Sequence, residues 1–130
     1  MSEKLTVIVR TQELLVYVLE ATAKSPREYR FTFTNRMQNW TTDILEAVIL
    51  ANDVYINPQN FNLKRYELRR NYQHNALTKI KMLSFLAREA MERRVLTLAQ
   101  YERISKLTKD CQFLIGGWIK SDKEQYKIKW

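Results

Sequence analysis

His74 is the only histidine in this 130-residue chain and Cys111 the only cysteine. The side chains that most often carry acid–base, nucleophilic and metal chemistry are therefore scarce, and these two fall on separate segments. There is no Cys-x-x-Cys, no His-Glu-x-x-His and no glycine-rich phosphate loop, because Gly116 and Gly117, the only glycines, are adjacent and late. No metal and no cofactor is expected. One spacing could do chemistry: Arg69 and His74 stand with four residues between them. An imidazole acting as general acid or base, beside a guanidinium that steadies phosphate charge, would suit RNA cleavage. The same spacing arises by chance in a basic helix, where a solvent-facing histidine is the plainer account.

The cations around His74 carry a stronger signal. The net charge of the chain is +8, and it is unevenly spread. Residues 64–94 hold nine Lys/Arg against three Glu, whereas residues 1–57 hold six Lys/Arg against seven acids. Arg70, His74, Lys81 and Arg88 follow one another at spacings of 4, 7 and 7, which places them on one face of a helix, flanked by Arg65, Arg69 and Lys79. Glu67 is the one acid that joins the stripe. A row of helix-borne cations can track phosphates, and each contact releases counterions. Charge alone fits a solvated helix face equally well. Tyr66 and Tyr72 lie nearby, but no aromatic ladder is interleaved with the cations, so backbone or shape recognition is favoured over base stacking.

The elements that must position these residues are helical. Two glycines and two prolines are too few for the turns of a sandwich or barrel. Val7, Leu14, Val18 and Ala21 mark a first helix over about 4–24. Ser25-Pro26-Arg27-Glu28 predicts a capping box, with the serine at the N-cap and proline at N1. A second helix over about 26–55 follows from Phe33, Met37, Trp40, Ile44, Ala47, Ala51 and Val54. Its apolar surface, with Leu45 and Ile49 off the main stripe, exceeds what one bundle interior absorbs and suggests a subunit interface. Asn57-Pro58-Gln59-Asn60 predicts the next turn. The third helix, about 63–94, turns Ala76, Ile80, Leu83, Ala87 and Ala90 inward. Thr97 and Gln100 form a second capping box for the last helix, which carries Tyr101, Ile104, Thr108, Cys111, Ile115 and Trp118 to about residue 120. The fold class is therefore all-α: an antiparallel up-down four-helix bundle over 1–120. A basic tail, 121–130, ends without a cap and is expected to be flexible.

The chain is expected to be cytoplasmic. It has one cysteine and therefore no internal disulfide, no basic-then-apolar start, and no apolar run long enough for a membrane.

Several stretches resemble one family over about residues 5–121. Ser25-Pro26-Arg27-Glu28-Tyr29-Arg30-Phe31-Thr32 is similar to the start of the second helix in Avd-type proteins, the accessory proteins of diversity-generating retroelements. Arg36-Met37-Gln38-Asn39, Asp43-Ile44-Leu45-Glu46 and Ile49-Leu50-Ala51-Asn52 match the continuation of that helix. Leu77-Thr78-Lys79-Ile80-Lys81-Met82-Leu83, with Leu86-Ala87, resembles the third helix, and Leu114-Ile115-Gly116-Gly117-Trp118-Ile119-Lys120 resembles the closing motif. Thr34-Asn35 stand where that family often has glycine, Lys81 where arginine is usual, and Phe85 where a basic residue is usual.

This resemblance implies a homopentameric barrel of bundles that binds a reverse transcriptase and nucleic acid, RNA and also DNA, in support of mutagenic copying of a template RNA. It implies no active site in this chain, since the polymerase chemistry belongs to the partner. Gly116, Gly117 and Trp118, together with Trp40, then become candidates for core or subunit packing, the glycines by allowing close backbone approach. Three other readings stand beside this one. Proteins encoded in 23S rRNA intervening sequences share the bundle, and their role is unclear. HEPN ribonucleases are also all-α, and their short Arg…His motif resembles the Arg69/His74 spacing, although Arg70 stands where a polar residue usually follows the arginine. The last is a generic interaction module.

Overall fold

The computed structural model describes residues 3–129, with side chains from Thr6 onward. Met1, Ser2 and Trp130 lie outside the described residues, as do the readings of the chain start and of the last tail residue. Four long helices make up the described chain: α1 (Glu3–Thr22), α2 (Asn35–Asp53), α3 (Leu63–Glu92) and α4 (Leu98–Gln125). There are no strands among the described residues. Each helix packs on the next, and α4 closes on α1. None is long and apolar enough to cross a membrane.

The helical periodicity decides what lies inside. Val7, Leu14 and Val18 of α1, Met37, Ile44, Ala47 and Ala51 of α2, Ala76, Ile80, Leu83, Ala87 and Ala90 of α3, and Ile104, Cys111, Ile115 and Trp118 of α4 form one core. The three alanines of α3 let the neighbouring backbones come close, and α2 makes its most extensive contact with this helix. Threonines also enter the interior. Thr11, Thr22 and Thr41 each donate to the carbonyl four residues back, at 2.6–2.7 Å, so their hydroxyls are satisfied without a partner helix. Burial pushes the Cys111 thiol up to about 11, with Thr11 donating to its sulfur at 3.9 Å. That thiol is poorly reactive.

The segment before α2 departs from the expected capped start. Arg27–Tyr29 forms a 3₁₀ turn and Arg30–Thr34 a π turn, closed by the Asn35 amide donating to the Arg30 carbonyl. Pro26 takes the N-cap position, and no side chain caps this start. The Ser25 hydroxyl is buried without a partner, as is that of Thr34. Pro26 is extended (φ -55°, ψ 141°) rather than helical, so the first turn starts one residue later and Ser25 lies outside the cap position. The Thr97–Gln100 capping box forms as expected, with the Thr97 side chain accepting from the Gln100 amide at 3.1 Å and the Gln100 side chain accepting from the Thr97 amide at 2.9 Å.

The last helix also runs further than expected. The last helix continues through Gln125 and ends in a Schellman motif: Lys127 has φ 56°, and the Ile128 amide donates to the Lys123 carbonyl at 2.8 Å. Tyr126 stacks on Phe61 at 5.4 Å and meets Tyr66 edge-on, while Ile128 packs on the small cluster of Val54, Ile56 and Tyr66. These contacts fix residues 121–129 to the α2–α3 connection. Neither the helix limit near 120 nor the uncapped end survives.

A second Schellman motif ends α3. The Arg94 amide donates to the Met91 carbonyl at 3.0 Å and the Val95 amide to the Ala90 carbonyl at 2.8 Å, with Arg94 at φ 63°. A non-glycine residue in this left-handed region costs roughly 1 kcal/mol or more. Arg94→Gly is therefore expected to stabilise the fold by about 1 kcal/mol. A urea titration should show the midpoint moving up; a lower midpoint would mean that the arginine side chain contributes more than its backbone conformation costs.

Candidate nucleic-acid interface

The cations of α3 are divided by the helix repeat. Tyr66, Arg69, Gln73, Ala76 and Ile80 fall on the inward face, and Arg69 is only 2% exposed. Its guanidinium donates from Nη1 to Asp122 Oδ1 at 3.0 Å and from Nη2 to the Val54 carbonyl at 2.6 Å. The other Asp122 oxygen accepts from Gln73 Nε2 at 3.2 Å. The Arg69 guanidinium carbon stands 6.0 Å from the centre of the Trp118 ring. Arg69 is thus removed from the interface expected for it. A buried charge must be paired, and here the pairing carboxylate comes from the segment that sequence reasoning treated as tail.

The remaining expected residues stay nearer the surface. His74, Lys81 and Arg88 are exposed and Arg70 is half-buried. Arg70 Nε approaches His74 Nε2 at 3.4 Å. Burial lowers the His74 pKa from its usual 6.5, and the charges of Arg70, Lys123 and Lys81 lower it further. Burial is the largest of these influences, and the charged groups that act on His74 are all cations. Lys123 joins this face from α4. Sequence spacing along one helix could not reveal it, because its position depends on how α4 packs against α3.

Phe85 was also passed over. It stands four residues after Lys81 and three before Arg88, is 63% exposed, and so sets an aromatic ring within the cationic stripe. Its spacing from these two residues was a usable signal. Other expected cations are partly engaged. Lys79 pairs with Asp43 of α2 at 3.6 Å, Arg88 with Glu92 at 3.5 Å, and Arg65 donates to the Tyr55 carbonyl at 3.3 Å. Surface pairs of this kind are weak and yield to a polyanion at little cost.

Arg69 and His74 turn to different sides of α3. The arginine is locked inward by Asp122 and Val54, while the histidine faces out beside Arg70. The packing candidates also separate. Trp118 is a core residue, 2% exposed, with its indole N–H unpartnered, whereas Trp40 is half-buried. Gly116 and Gly117 face outward, and a Cβ built on either meets nothing within 4 Å. The close backbone approach expected of them is not made within this chain. With Phe113, which is 80% exposed, they line a shallow groove of about 590 Å³.

Comparisons with protein-family models, with curated proteins and with solved structures each return no match to this chain.

Two outcomes follow from this geometry. Asp122→Asn leaves the Arg69 charge buried and uncompensated, and should cost about 3 kcal/mol or more by urea denaturation. The double change Arg69→Met with Asp122→Leu should restore most of that loss. Equal stability of the single variant and the wild type would show that the pair contributes nothing. For His74, an NMR titration should place its midpoint below 6.5, and added salt should raise it by screening the neighbouring lysines and arginine. A midpoint above 6.5 at low salt would contradict these cationic surroundings.

Proposed function

We propose that this chain is a non-catalytic accessory protein of the Avd type, which holds nucleic acid on the cationic face of α3 and works beside a reverse transcriptase. The observation that carries this reading is the placement of Arg70, His74, Lys81 and Arg88 along the outer side of α3, with Lys123 of α4 close enough to act on His74. Phe85 lies within the same face. A surface that gathers cations in this way favours a polyanion. The phosphate backbone of RNA or DNA supplies the compensating charge, and releasing its counterions drives binding.

The resemblance described above supplies the rest of the proposal. It places the bundle, with up-down antiparallel helices, in a homopentameric barrel, and it makes template RNA, its cDNA copy and the reverse transcriptase the partners. The exposed Gly116-Gly117 surface and its neighbour Phe113 suit a contact between copies, where the missing Cβ atoms admit another backbone. Repeating one cationic face around a ring multiplies weak phosphate contacts into avidity. The chain then acts as a scaffold that keeps template and polymerase together.

The test is direct. Replacing Arg70, Lys81 and Arg88 together with glutamate should weaken binding of a fluorescently labelled RNA by more than about tenfold at low salt and flatten its salt dependence. Helix content by circular dichroism should be unchanged, since none of the three belongs to the core. Unchanged affinity at low salt would reduce the stripe to a solvated helix face. Because the same face takes up a proton when phosphate approaches His74, wild-type affinity should also rise as pH falls from 7 toward 5, and His74→Ala should remove that rise.

A further inference from the structure

We propose that the corner between α1 and α2 is a second nucleic-acid contact, in which Phe31 stacks on a base of a single strand while Arg27 and Arg30 hold the adjoining phosphates. The proposal rests on the nucleic-acid reading above, but it uses a different element and a different kind of contact.

The backbone of this corner presents the ring. The π turn Arg30–Thr34 follows directly on the 3₁₀ turn Arg27–Tyr29. Single π turns set within helices are frequent at functional sites. Tyr29 and Phe33 pack edge-on at 5.7 Å, with Phe33 buried, and hold the inner side of the corner. Phe31, two residues from each, is directed outward and is 82% exposed, the most exposed large apolar side chain among the described residues. An isolated exposed ring is ordinary. This one lies in a strongly biased setting.

Lys24, Arg27, Arg30 and Arg36 are all exposed, and Glu28 is the only acid between residues 24 and 36. Among the described residues, none of these four cations is paired with a carboxylate. Arg27 opens the 3₁₀ turn, and Arg30, whose amide donates to the Arg27 carbonyl, closes it and begins the π turn, so the two arginines stand one turn apart. Phe31 follows immediately. Two exposed arginines one turn apart beside one bare ring are the combination that single-strand binding uses: charge along the backbone and a sequence-tolerant aromatic surface for the base. A duplex keeps its bases stacked inside and offers the ring nothing. A membrane surface would call for several apolar side chains at one depth, whereas here one ring stands among cations.

The experiment compares a labelled 20-nucleotide poly(U) RNA with an RNA duplex of the same length, by fluorescence anisotropy at low salt. The proteins are the full chain, Phe31→Ala, Phe31→Trp and the Arg70/Lys81/Arg88 glutamate variant. Phe31→Ala should weaken poly(U) binding by about fivefold or more and leave duplex binding within about twofold, while Phe31→Trp should restore it. Helix content and thermal midpoint report folding, and an 82% exposed side chain should leave both unchanged. If Phe31→Ala binds poly(U) as the wild type does while the glutamate variant loses affinity, the corner is not a site and the α3 reading stands alone. Equal losses on poly(U) and duplex would also overturn stacking. No binding of either RNA by the wild type would overturn both readings. A Phe31→Ala loss seen only with phosphatidylserine vesicles would reassign the corner to a membrane surface.

Discussion

The buried contact between Arg69 and Asp122, whether met by an ion pair or by matched apolar groups, is the constraint that joins α4 to α2 and α3. Taking two charges out of water costs several kcal/mol each, and only good geometry repays it. Here one guanidinium reaches a carboxylate of α4 and the terminal carbonyl of α2, while Gln73 holds the second carboxylate oxygen. Three helices are thus tied at one level, and the register of α4 against α3 is specified by polar contacts as well as by apolar fit. Below this knot, Tyr66 and Tyr126 close the end of the bundle over Val54 and Ile56. Moving α4 by one residue would break the pair and turn Trp118 away from the core.

The same constraint determines the outer surface. With Arg69 turned inward, the next turn of α3 carries Arg70 and His74 outward, and Lys123, one residue after Asp122, comes to the same face. A single buried carboxylate therefore removes one cation from the surface and brings another to it from a different helix. Burial, and after it the charges of Arg70, Lys123 and Lys81, disfavour a proton on His74. Such a face suits a partner that brings its own negative charge and needs no shaped cavity, which is how a phosphate backbone is held. The exposed phenylalanines, Phe85 on α3 and Phe31 at the α1–α2 corner, add ring surface to charge at two separate places.

The core was legible in the sequence because apolar spacing and helix geometry are the same information. Val7, Leu14 and Val18, the alanine stripe of α3, and Ile104 through Trp118 are all buried as their periodicity requires. The Thr97–Gln100 capping box was legible for a similar reason, since both partners lie within one turn. Features that depend on distant residues were not legible. Arg69 looked like its neighbours Arg65 and Arg70 until Asp122 was placed beside it. The tail looked unanchored because Tyr126 and Ile128 pack on residues some 60–70 positions earlier. The Ser25 cap did not form because Pro26 stays extended and the first turn starts one residue later. The glycine pair was visible, but its outward direction follows only from the placement of Trp118.

The proposed scaffold works only as several copies, each offering the same cationic face. Its most direct test is the native mass of the purified protein by light scattering, at moderate salt and after nuclease treatment. The account predicts a mass near five times the 15.6 kDa of one chain, about 78 kDa. A stable monomer or dimer under those conditions would contradict it, because no ring of repeated faces would then exist to hold template and polymerase together.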